Sequence, residues 1–478
     1  MDQQTGEFGT WTLPLPAELR TALARESYAL SLGADGQGHI AMCIFSNGVR
    51  ETWIMEEYLT DIHENEIVSL TITAPYPVDS IVRAVHQYQQ EHPEVQVTWD
   101  APYLSREEYI KNGMNYREQI TLRTMAGDTG DLQMILGAGI AQEVITDTDA
   151  FTDLAPYLEQ YDYKEELEWN LVETLRGQDG AVRAVPLGIS PSYYFYNKTL
   201  AASEHISLSP ARATWSEVLE LALQWKKDGK DLSLISANPS EQTRVRESLL
   251  TALLLANLYG FEQEDGTLRM DRPEFLNLLR DLKELWDSPQ LVRGDGDRFV
   301  DGFFQKALFA TMPSKVYSYE RYTWVERLQE RENIQIDVVP CPWGETYQKQ
   351  QGYGSCWGIP SASQEKDAAW DLLAYILSSE GLPGYAYSYD TETLNNKALD
   401  AYFDMELNVF VGAGDEDTVK KAYQQFKSLR QYPFSRFDEI YGWSDAVQAP
   451  IEDYLNGKRT LDEAIETASD NWSRLLLG

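Results

Sequence analysis

The stretch AVPLGISPSYYFYNKT, residues 184–199, is the segment around which this chain is organised. It follows a turn that contains Gly177 and Gly180 and precedes a predicted helix start. Its alternation predicts a β-strand with one buried face. Four successive aromatic residues, 193–196, lead into Asn197 and make this segment the candidate wall or hinge of a ligand cleft. Ordinary core aromatics are the alternative interpretation.

Length and charge limit the classes of protein that fit. A chain of 478 residues predicts two or three domains, because a single core rarely extends over so many residues. The chain has 40 basic and 76 acidic residues and a net charge of −36. Such a charge repels nucleic acid and anionic lipid headgroups. A nucleic-acid partner is therefore not expected, and most of the acidity serves solubility.

The cysteines and the apolar runs give little sign of a disulfide scaffold or a membrane span. Cys43, Cys341 and Cys356 are few and irregularly spaced. A Cys341–Cys356 bridge and two unrelated buried cysteines are both open. The longest apolar run, residues 249–258, is shorter than the roughly 20 residues that a membrane-spanning helix needs. No signal peptide follows Met1, which leaves a cytoplasmic protein and a mature, processed protein as alternatives.

The pattern of elements changes at residue 67. Residues 1–66 predict short β-hairpins, with the Asn-Gly hairpin signal at 47–48. The apolar run IVSLTITAP, the helically spaced residues 78–91 and the strand-like EVQVTWD then follow in order. This β-α-β unit predicts a parallel, doubly wound sheet, in which ligands lie beyond the carboxyl ends of the strands.

Further helices and strands follow. Residues 109–125 predict one long helix, and helices dominate from 241 to 286. The runs Thr214–Glu217 and Thr460–Glu463 each fit a capping box at a helix start.

No catalytic or metal motif stands out. The five histidines form no HExxH pattern, no P-loop is present, and the glycines of GYGSCWG are spaced wrongly for a dinucleotide fingerprint. Carboxylate pairs for glycoside hydrolysis cannot be recognised among so many acids without their separation. No cofactor and no metal are therefore expected. The 13 Trp and 28 Tyr residues, many beside Gly, Pro or Ser, suit stacking on sugar rings.

Taken in order, several segments resemble the extracellular solute-binding proteins of ABC importers, in particular the large carbohydrate-binding family that includes the maltodextrin-binding protein. The resemblance covers residues 67–478 and rests on the order and spacing of its pieces. These pieces are LTITAPYPVDSIVRAVHQYQQEHPEVQVTW, LRTMAGDTGDLQMI, AVPLGISPSYYFYNKTL, TWSEVLELA, GYGSCWGIPSASQEKDAAWDLLAYILSSEG and the final helix.

The resemblance implies an α/β, two-lobed periplasmic-binding-protein fold of type II, with lobes joined by crossing hinge strands. It places lobe 1 at 67–185 plus 307–355 and lobe 2 at 186–306 plus 356–478. Residues 1–66 depart from the family pattern and are expected to form a small N-terminal β-hairpin extension or the remnant of an upstream β-domain.

Candidate ligand-binding residues follow from the same resemblance. They lie beside the first hinge, after the MPS segment, at the second crossing, in IYGWSD and just past two strand ends. The GDTGD turn has Gly130 where the family has Pro. A packed hinge or core is the alternative role for each. In the order of these places, the candidates are Tyr193, Tyr194, Asn197, Tyr317, Trp357, Tyr441, Trp443, Tyr76 and Asp131.

The resemblance also implies a role. It predicts a non-catalytic, monomeric receptor that binds a carbohydrate, in particular an oligosaccharide, and presents it to the permease subunits of an ABC transporter. The location would be the extracellular face of the cytoplasmic membrane, with a lipid anchor, or the periplasm. The alternatives are a receptor for a peptide, a polyamine or another small polar ligand, a ligand-sensing module, and a glycoside hydrolase.

Overall fold

In the part of the chain that the computed structural model describes, the strands form three β-sheets, and helices pack against the two larger ones. The structure describes residues 29–34, 40–46, 49–55, 67–113, 116–135, 148–173, 175–177, 179–191, 193–236, 242–258, 268–293, 305–310, 325–326, 329–330, 333–344, 352–378, 387–388, 391–410, 416–430 and 444–477. No helix in this part of the chain is both long enough and apolar enough to cross a membrane.

The strands and helices are numbered in chain order. The strands are β1 (Ala29–Ala34), β2 (Ile40–Ser46), β3 (Val49–Met55), β4 (Val68–Thr73), β5 (Val95–Asp100), β6 (Leu132–Met134), β7 (Val185–Pro191), β8 (Tyr193–Asn197), β9 (Ser233–Ser236), β10 (Val292–Arg293), β11 (Ala307–Ala310), β12 (Ile336–Pro340), β13 (Gly352–Gly358), β14 (Tyr387–Ser388) and β15 (Thr391–Thr393). The helices are α1 (Asp79–Glu91), α2 (Arg106–Asn112), α3 (Tyr116–Ala126), α4 (Ala155–Gln160), α5 (Trp169–Glu173), α6 (Lys198–Ser203), α7 (Trp215–Lys227), α8 (Gln242–Leu258), α9 (Pro273–Leu285), α10 (Lys366–Leu377), α11 (Asn396–Phe410), α12 (Glu416–Leu429), α13 (Ala449–Leu455) and α14 (Leu461–Leu477).

The first sheet is an antiparallel meander of β1, β2 and β3. Ser46 pairs with Val49, as a tight hairpin requires. The pairing agrees with the hairpins predicted for this part of the chain.

The second sheet has seven strands in the order β14-β15-β7-β13-β6-β4-β5. Strands β4 and β5 are parallel and are connected by α1, which confirms the predicted β-α-β unit. Helix α1 buries Ile81, Val85 and Tyr88 in the core of this sheet because these residues share one face of the helix. The predicted helix 109–125 is instead two helices, α2 and α3, and Gly113 is the C-cap of the first.

The third sheet has five strands in the order β10-β9-β11-β8-β12. Helix α7 packs against it and begins with the predicted capping box, in which Thr214 and Glu217 satisfy each other's backbone groups. The second predicted box is also present, since Thr460 and Glu463 exchange the same hydrogen bonds before α14. Separate apolar clusters surround the second and third sheets.

Two adjacent strand pairs carry the chain between these two sheets. Strand β7 of the second sheet ends at Pro191, and β8 of the third sheet begins at Tyr193. The end of β12 and the start of β13 lie beside this junction, because Tyr193 pairs with Pro340 and Pro191 pairs with Gly352. In the described residues, the chain also passes from the core of the seven-stranded sheet to a core of the five-stranded sheet between Leu394 and α11. The crossing strands that the resemblance implied are thus present.

The strand directions place the carboxyl ends of both sheets on the side of the crossing. Strand β7 is antiparallel to β13, which is antiparallel to β6, so β4, β5, β6 and β7 all run toward the crossing. Strand β8 runs away from the crossing and is antiparallel to β11, so β9, β10 and β11 also run toward it. The two carboxyl edges therefore face the same region, where open α/β sheets bind ligands.

The strand pairing corrects part of the predicted lobe boundaries. Residues 307–355 were assigned to the lobe of 67–185, but β11 and β12 pair with β8 and β9 in the other sheet. Residues 356–377 were assigned to lobe 2, but Cys356, Trp357 and α10 pack in the core of the seven-stranded sheet. The reason is that the second crossing lies between β12 and β13, about 40 residues later in the chain than β11.

The glycine after β12 offers a test of how the second crossing is anchored. A Cβ at Gly344 would lie 1.8 Å from the carbonyl oxygen of Ala256 in α8. We expect Gly344→Ala to lower the free energy of unfolding by about 1–3 kcal/mol, because backbone must move. Urea denaturation measures the change.

Gly229→Ala is the matched control, because Gly229 has a φ of +64° and open space around its Cα. Gly229→Ala should lower the free energy of unfolding by about 1–2 kcal/mol, because an alanine is strained at a positive φ although its Cβ meets no other atom. A Gly344→Ala variant as stable as the wild type would show that this contact does not hold the crossing.

Candidate functional site

Tyrosine side chains gather beyond the carboxyl ends of β4 and β5, on the side of the crossing. Tyr76 follows β4 after Ala74 and Pro75, and Tyr103 follows β5. The Tyr103 amide donates to the Pro75 carbonyl at 3.1 Å, which holds the two strand ends together. Because this edge faces the other sheet, these side chains are the described residues best placed to contact a ligand between the sheets.

The cluster continues into α2 and α3 and is graded in exposure. The ring of Tyr109 lies 5.8 Å from Tyr76, 5.7 Å from Tyr103 and 5.8 Å from Tyr116. Tyr76 and Tyr103 are half-buried, whereas Tyr109 and Tyr116 are buried. We call these four residues the tyrosine cluster. Such rings present flat apolar faces with a polar tip, which suits contact with a partly polar ligand.

A polar network lies under the tyrosine cluster and fixes the strand ends. The Arg123 guanidinium donates to the Asp100 carboxylate at 2.7 Å, and the Thr73 hydroxyl donates to the same oxygen at 3.3 Å. The Gly130 amide donates to the Thr73 hydroxyl at 2.8 Å. Strands β4 and β5, helix α3 and the turn before β6 are therefore bonded to one another at this edge.

Tyr116 remains a neutral phenol in this environment. Burial is the main cause that raises its pKa, and the nearby Asp100 carboxylate raises the pKa further, while Arg123 opposes both. Its hydroxyl therefore keeps its proton at physiological pH and can donate a hydrogen bond.

Asp131 holds the scaffold together rather than facing the crossing. Its carboxylate accepts from the Thr71 amide at 2.9 Å and from the Ser363 hydroxyl at 2.7 Å. The residue precedes β6, so it lies beside the middle of β4 and not at the carboxyl edge. The adjacent Gly130 passes so close to β4 that a Cβ there would lie 2.3 Å from the Thr71 oxygen. The structure thus gives Asp131 a structural role, and its ligand role stays a prediction.

Three of the predicted ligand residues are buried. Asn197 is fully buried, and its side chain accepts from the Leu200 amide at 2.9 Å as the cap of α6. Tyr194 lies in the core of the five-stranded sheet, with its ring 5.7 Å from Phe309. Trp357 has no exposed surface and packs in the other core. In this structure the three side chains are buried in the cores or at a helix cap, and a ligand role for them stays a prediction.

Among the predicted ligand residues, Tyr193 is the one at the crossing itself, since it is the first residue of β8. Its side chain is half-buried and packs edge-on against Phe426 at 4.6 Å and Phe195 at 5.8 Å. It points to the face of β8 opposite to Tyr194, as the alternation of a strand requires. Tyr76 and Tyr193 are thus the described candidates that keep exposed surface on the side of the crossing. The remaining candidates, Tyr317, Tyr441 and Trp443, lie outside the described residues.

The sequence prediction missed Tyr103, Tyr109 and Tyr116. A signal was present, because Tyr103 follows the predicted strand EVQVTWD by three residues and so falls at the same edge as Tyr76. The position of Tyr109 and Tyr116 behind it depends on the break between α2 and α3, which the apolar periodicity does not show.

The structure decides whether Cys341 and Cys356 form a disulfide. Cys341 and Cys356 are both free and buried, and they belong to different cores, so the structure excludes the bridge between them. Burial raises the pKa of Cys341 to about 12, with a weaker opposite effect from a hydrogen bond with Tyr194. Within the described part of the chain, no group of three His, Cys, Asp or Glu side chains is arranged to hold a metal ion.

Solved structures with the same fold include sugar-binding proteins. The sugar-binding protein MalE of Xanthomonas citri matches with a TM-score of 0.57 at 13% identity, over 86% of this chain and 98% of that chain. M. tuberculosis UspC matches with a TM-score of 0.54 at 15% identity, over 85% and 99%. The cyclic alpha-maltosyl-1,6-maltose binding protein from Arthrobacter globiformis matches with a TM-score of 0.52 at 16% identity, over 86% and 99%.

These likenesses confirm the predicted class, a two-lobed α/β binding-protein fold. The family model described as bacterial extracellular solute-binding protein matches residues 84–394, which is more than half of the chain. The chain therefore belongs to the bacterial extracellular solute-binding proteins, as the resemblance implied. No curated protein sequence matches it.

The role of Asp131 can be tested by stability. We expect Asp131→Ala to lower the free energy of unfolding by about 1–3 kcal/mol, because the Thr71 amide and the Ser363 hydroxyl both lose their acceptor. Asp128→Ala, in the same turn, is the control, since the Asp128 side chain is 80% exposed. Its effect should stay within about 0.5 kcal/mol. Equal effects in urea denaturation would contradict a structural role for Asp131.

The burial of the two cysteines predicts their reactivity. We expect Cys341 and Cys356 to stay unmodified by iodoacetamide at pH 8 in the native protein, because neither thiol is accessible and Cys341 is not ionised. Both should react after denaturation without a reductant, as free thiols do. Peptide mass spectrometry distinguishes the two sites, and a disulfide-linked peptide would contradict the structure.

Proposed function

We propose that this protein captures a carbohydrate, in particular an oligosaccharide, between its two lobes and delivers it to the permease subunits of an ABC transporter. The observation that carries this proposal is the position of the tyrosine cluster. It lies at the carboxyl edge of one sheet, and that edge faces the carboxyl edge of the other sheet across the crossing strands. A ligand between the edges would contact both lobes.

The chemistry of the cluster suits a sugar. The half-buried rings of Tyr76 and Tyr103 can lie against the C–H faces of a pyranose. The polar network of Thr73, Asp100 and Arg123 keeps the edge in place, so little ordering is needed when the ligand binds. A preformed aromatic surface with few polar groups is typical of small-molecule sites.

The relatives support the same ligand class. The proteins from Xanthomonas citri and Arthrobacter globiformis are described as binding a sugar and a cyclic maltosyl-maltose. Membership of an extracellular solute-binding family supports a place outside the cytoplasmic membrane, in the periplasm or at the membrane surface through a lipid anchor. The family also supports binding without turnover. We infer that the protein acts as a monomer and that its lobes close on the ligand about the crossing strands.

A cationic ligand such as a polyamine is the second candidate. The net charge of −36 would attract it, and tyrosine rings bind cations on their faces. In the described part of the cluster, however, the Asp100 carboxylate is already paired with Arg123 at 2.7 Å. A cation would therefore find rings there but no unpaired carboxylate at Asp100, which favours the neutral carbohydrate.

A thermal-shift panel tests the ligand class. We expect maltose, maltotriose or a related oligosaccharide to raise the melting temperature, because a ligand at about 100 times its Kd stabilises the folded state by about 2.7 kcal/mol. The sugar should be recovered unchanged. Spermidine and short peptides form the second set, and a shift with these alone would overturn the carbohydrate proposal.

Variants of the cluster test the place of binding. Tyr103→Ala should weaken sugar binding in calorimetry by about tenfold or more, because a stacked ring is lost. Tyr157→Ala is the matched control. Tyr157 lies on α4 of the same lobe, is also half-buried, and packs its ring against Trp370 of α10 rather than against the tyrosine cluster. Equal losses of affinity in the two variants would count against this edge as the binding surface.

A further inference from the structure

One hydroxyl in the tyrosine cluster differs from its neighbours. Tyr116 is 4% exposed, and its hydroxyl oxygen is buried without a hydrogen-bond partner among the residues that the structure describes. Buried polar groups in folded proteins are nearly always paired, because an unpaired group keeps the full cost of its lost hydration. Such a group at the edge of a candidate binding site therefore calls for a partner that binds later.

The charged groups near Tyr116 do not supply that partner. Asp100 and Arg123 act on Tyr116 electrostatically, but they bond to each other at 2.7 Å. The Asp100 oxygen in this bond also accepts from Thr73. The Tyr116 hydroxyl therefore takes no part in the hydrogen bonds that join Asp100 to Arg123 and Thr73.

Two rings of the tyrosine cluster, Tyr103 and Tyr109, pack edge-to-face against Tyr116. The Tyr103 ring lies 6.0 Å from the Tyr116 ring in an edge-to-face arrangement. Tyr103 is half-buried, and the next residue, Leu104, is 88% exposed. The Tyr103 backbone amide is bonded to the Pro75 carbonyl, and its ring packs against Tyr109 and Tyr116. An exposed leucine beside a half-buried tyrosine gains burial when a ligand covers both.

We propose that the Tyr116 hydroxyl is the specificity-determining hydrogen-bond donor of this edge, and that a ligand hydroxyl becomes its acceptor when the Tyr103 ring shifts from Tyr116 to pack on the ligand. The inference rests on the proposed function and extends it to ligand selection. Tyr76 and Tyr103 would recognise the flat shape of a sugar ring, which many sugars share. The buried donor would reject an analogue that lacks the matching oxygen, because the donor would then stay unpaired.

The test compares two tyrosines of the same core. Tyr116→Phe removes the unpaired hydroxyl and keeps the ring. Tyr161→Phe is the matched control, because Tyr161 is 7% exposed and its hydroxyl donates to the Ala374 carbonyl at 3.0 Å. We expect Tyr116→Phe to leave the melting temperature of the free protein unchanged or to raise it. Tyr161→Phe should lower it by about 2 °C, because it breaks a bond.

For ligand affinity we expect the larger effect in Tyr116→Phe, whereas for the melting temperature we expect it in Tyr161→Phe. With maltotriose as the probe in calorimetry, Tyr116→Phe should weaken binding about five- to tenfold, and Tyr161→Phe should leave the Kd unchanged. An unchanged Kd for Tyr116→Phe would overturn the proposal. A loss of melting temperature in Tyr116→Phe equal to that in Tyr161→Phe would also overturn it, since the hydroxyl would then be paired in the free protein.

Failure of the proposed function gives a different result. If the wild type binds spermidine and no sugar, the carbohydrate proposal fails, while calorimetry of the same two variants with spermidine still tests whether the Tyr116 hydroxyl contacts the ligand. The comparison of melting temperatures needs no ligand.

Discussion

The antiparallel pairing of the two crossing strand pairs is the constraint on which the rest of the structure depends. Pro191 pairs with Gly352, and Tyr193 pairs with Pro340, so the ends of these strands lie side by side. Each strand must be parallel or antiparallel to its paired neighbour, so the direction of the crossing strands fixes the direction of the others. The parallel strands of both sheets therefore have their carboxyl ends toward this crossing. The place between the lobes where a ligand can bind follows from this pairing rather than from any single side chain.

Each lobe has a core of its own. The cluster around Leu70 and Trp357 belongs to one sheet, and the cluster around Trp215 and Leu253 belongs to the other. Polar bonds also tie the elements of the seven-stranded lobe together, since Asp131 joins β4 to the turn at Ser363 and Asp100 bonds to Arg123 at the carboxyl edge. In the described residues, the chain passes between the two cores from β7 to β8, from β12 to β13 and from Leu394 to α11. The tyrosine cluster lies at the bonded carboxyl edge and can act as a preformed surface.

Much of the fold could be predicted because its signals are local. The alternation and helical spacing of residues 67–100 led to β4, α1 and β5, and the capping boxes at Thr214 and Thr460 marked true helix starts. The predicted lobe boundaries were less successful, because β11 and β12 choose partners more than 100 residues earlier in the chain. Local patterns report which residues form a strand and do not report which strand lies beside it.

The candidate site shows the same division. The sequence by itself determined the β-α-β unit and, through its resemblance to the solute-binding proteins, the two-lobed α/β class with the aromatic stretch 184–199 beside a hinge, because the order and spacing of segments are properties of the chain. Only the tertiary structure decided that Asn197 and Trp357 are buried, that Asp131 bonds to Thr71 and Ser363, and that Tyr103, Tyr109 and Tyr116 gather around Tyr76. The physical reason is that exposure and polar pairing depend on neighbours from distant segments, and these neighbours are set only when the two sheets have formed.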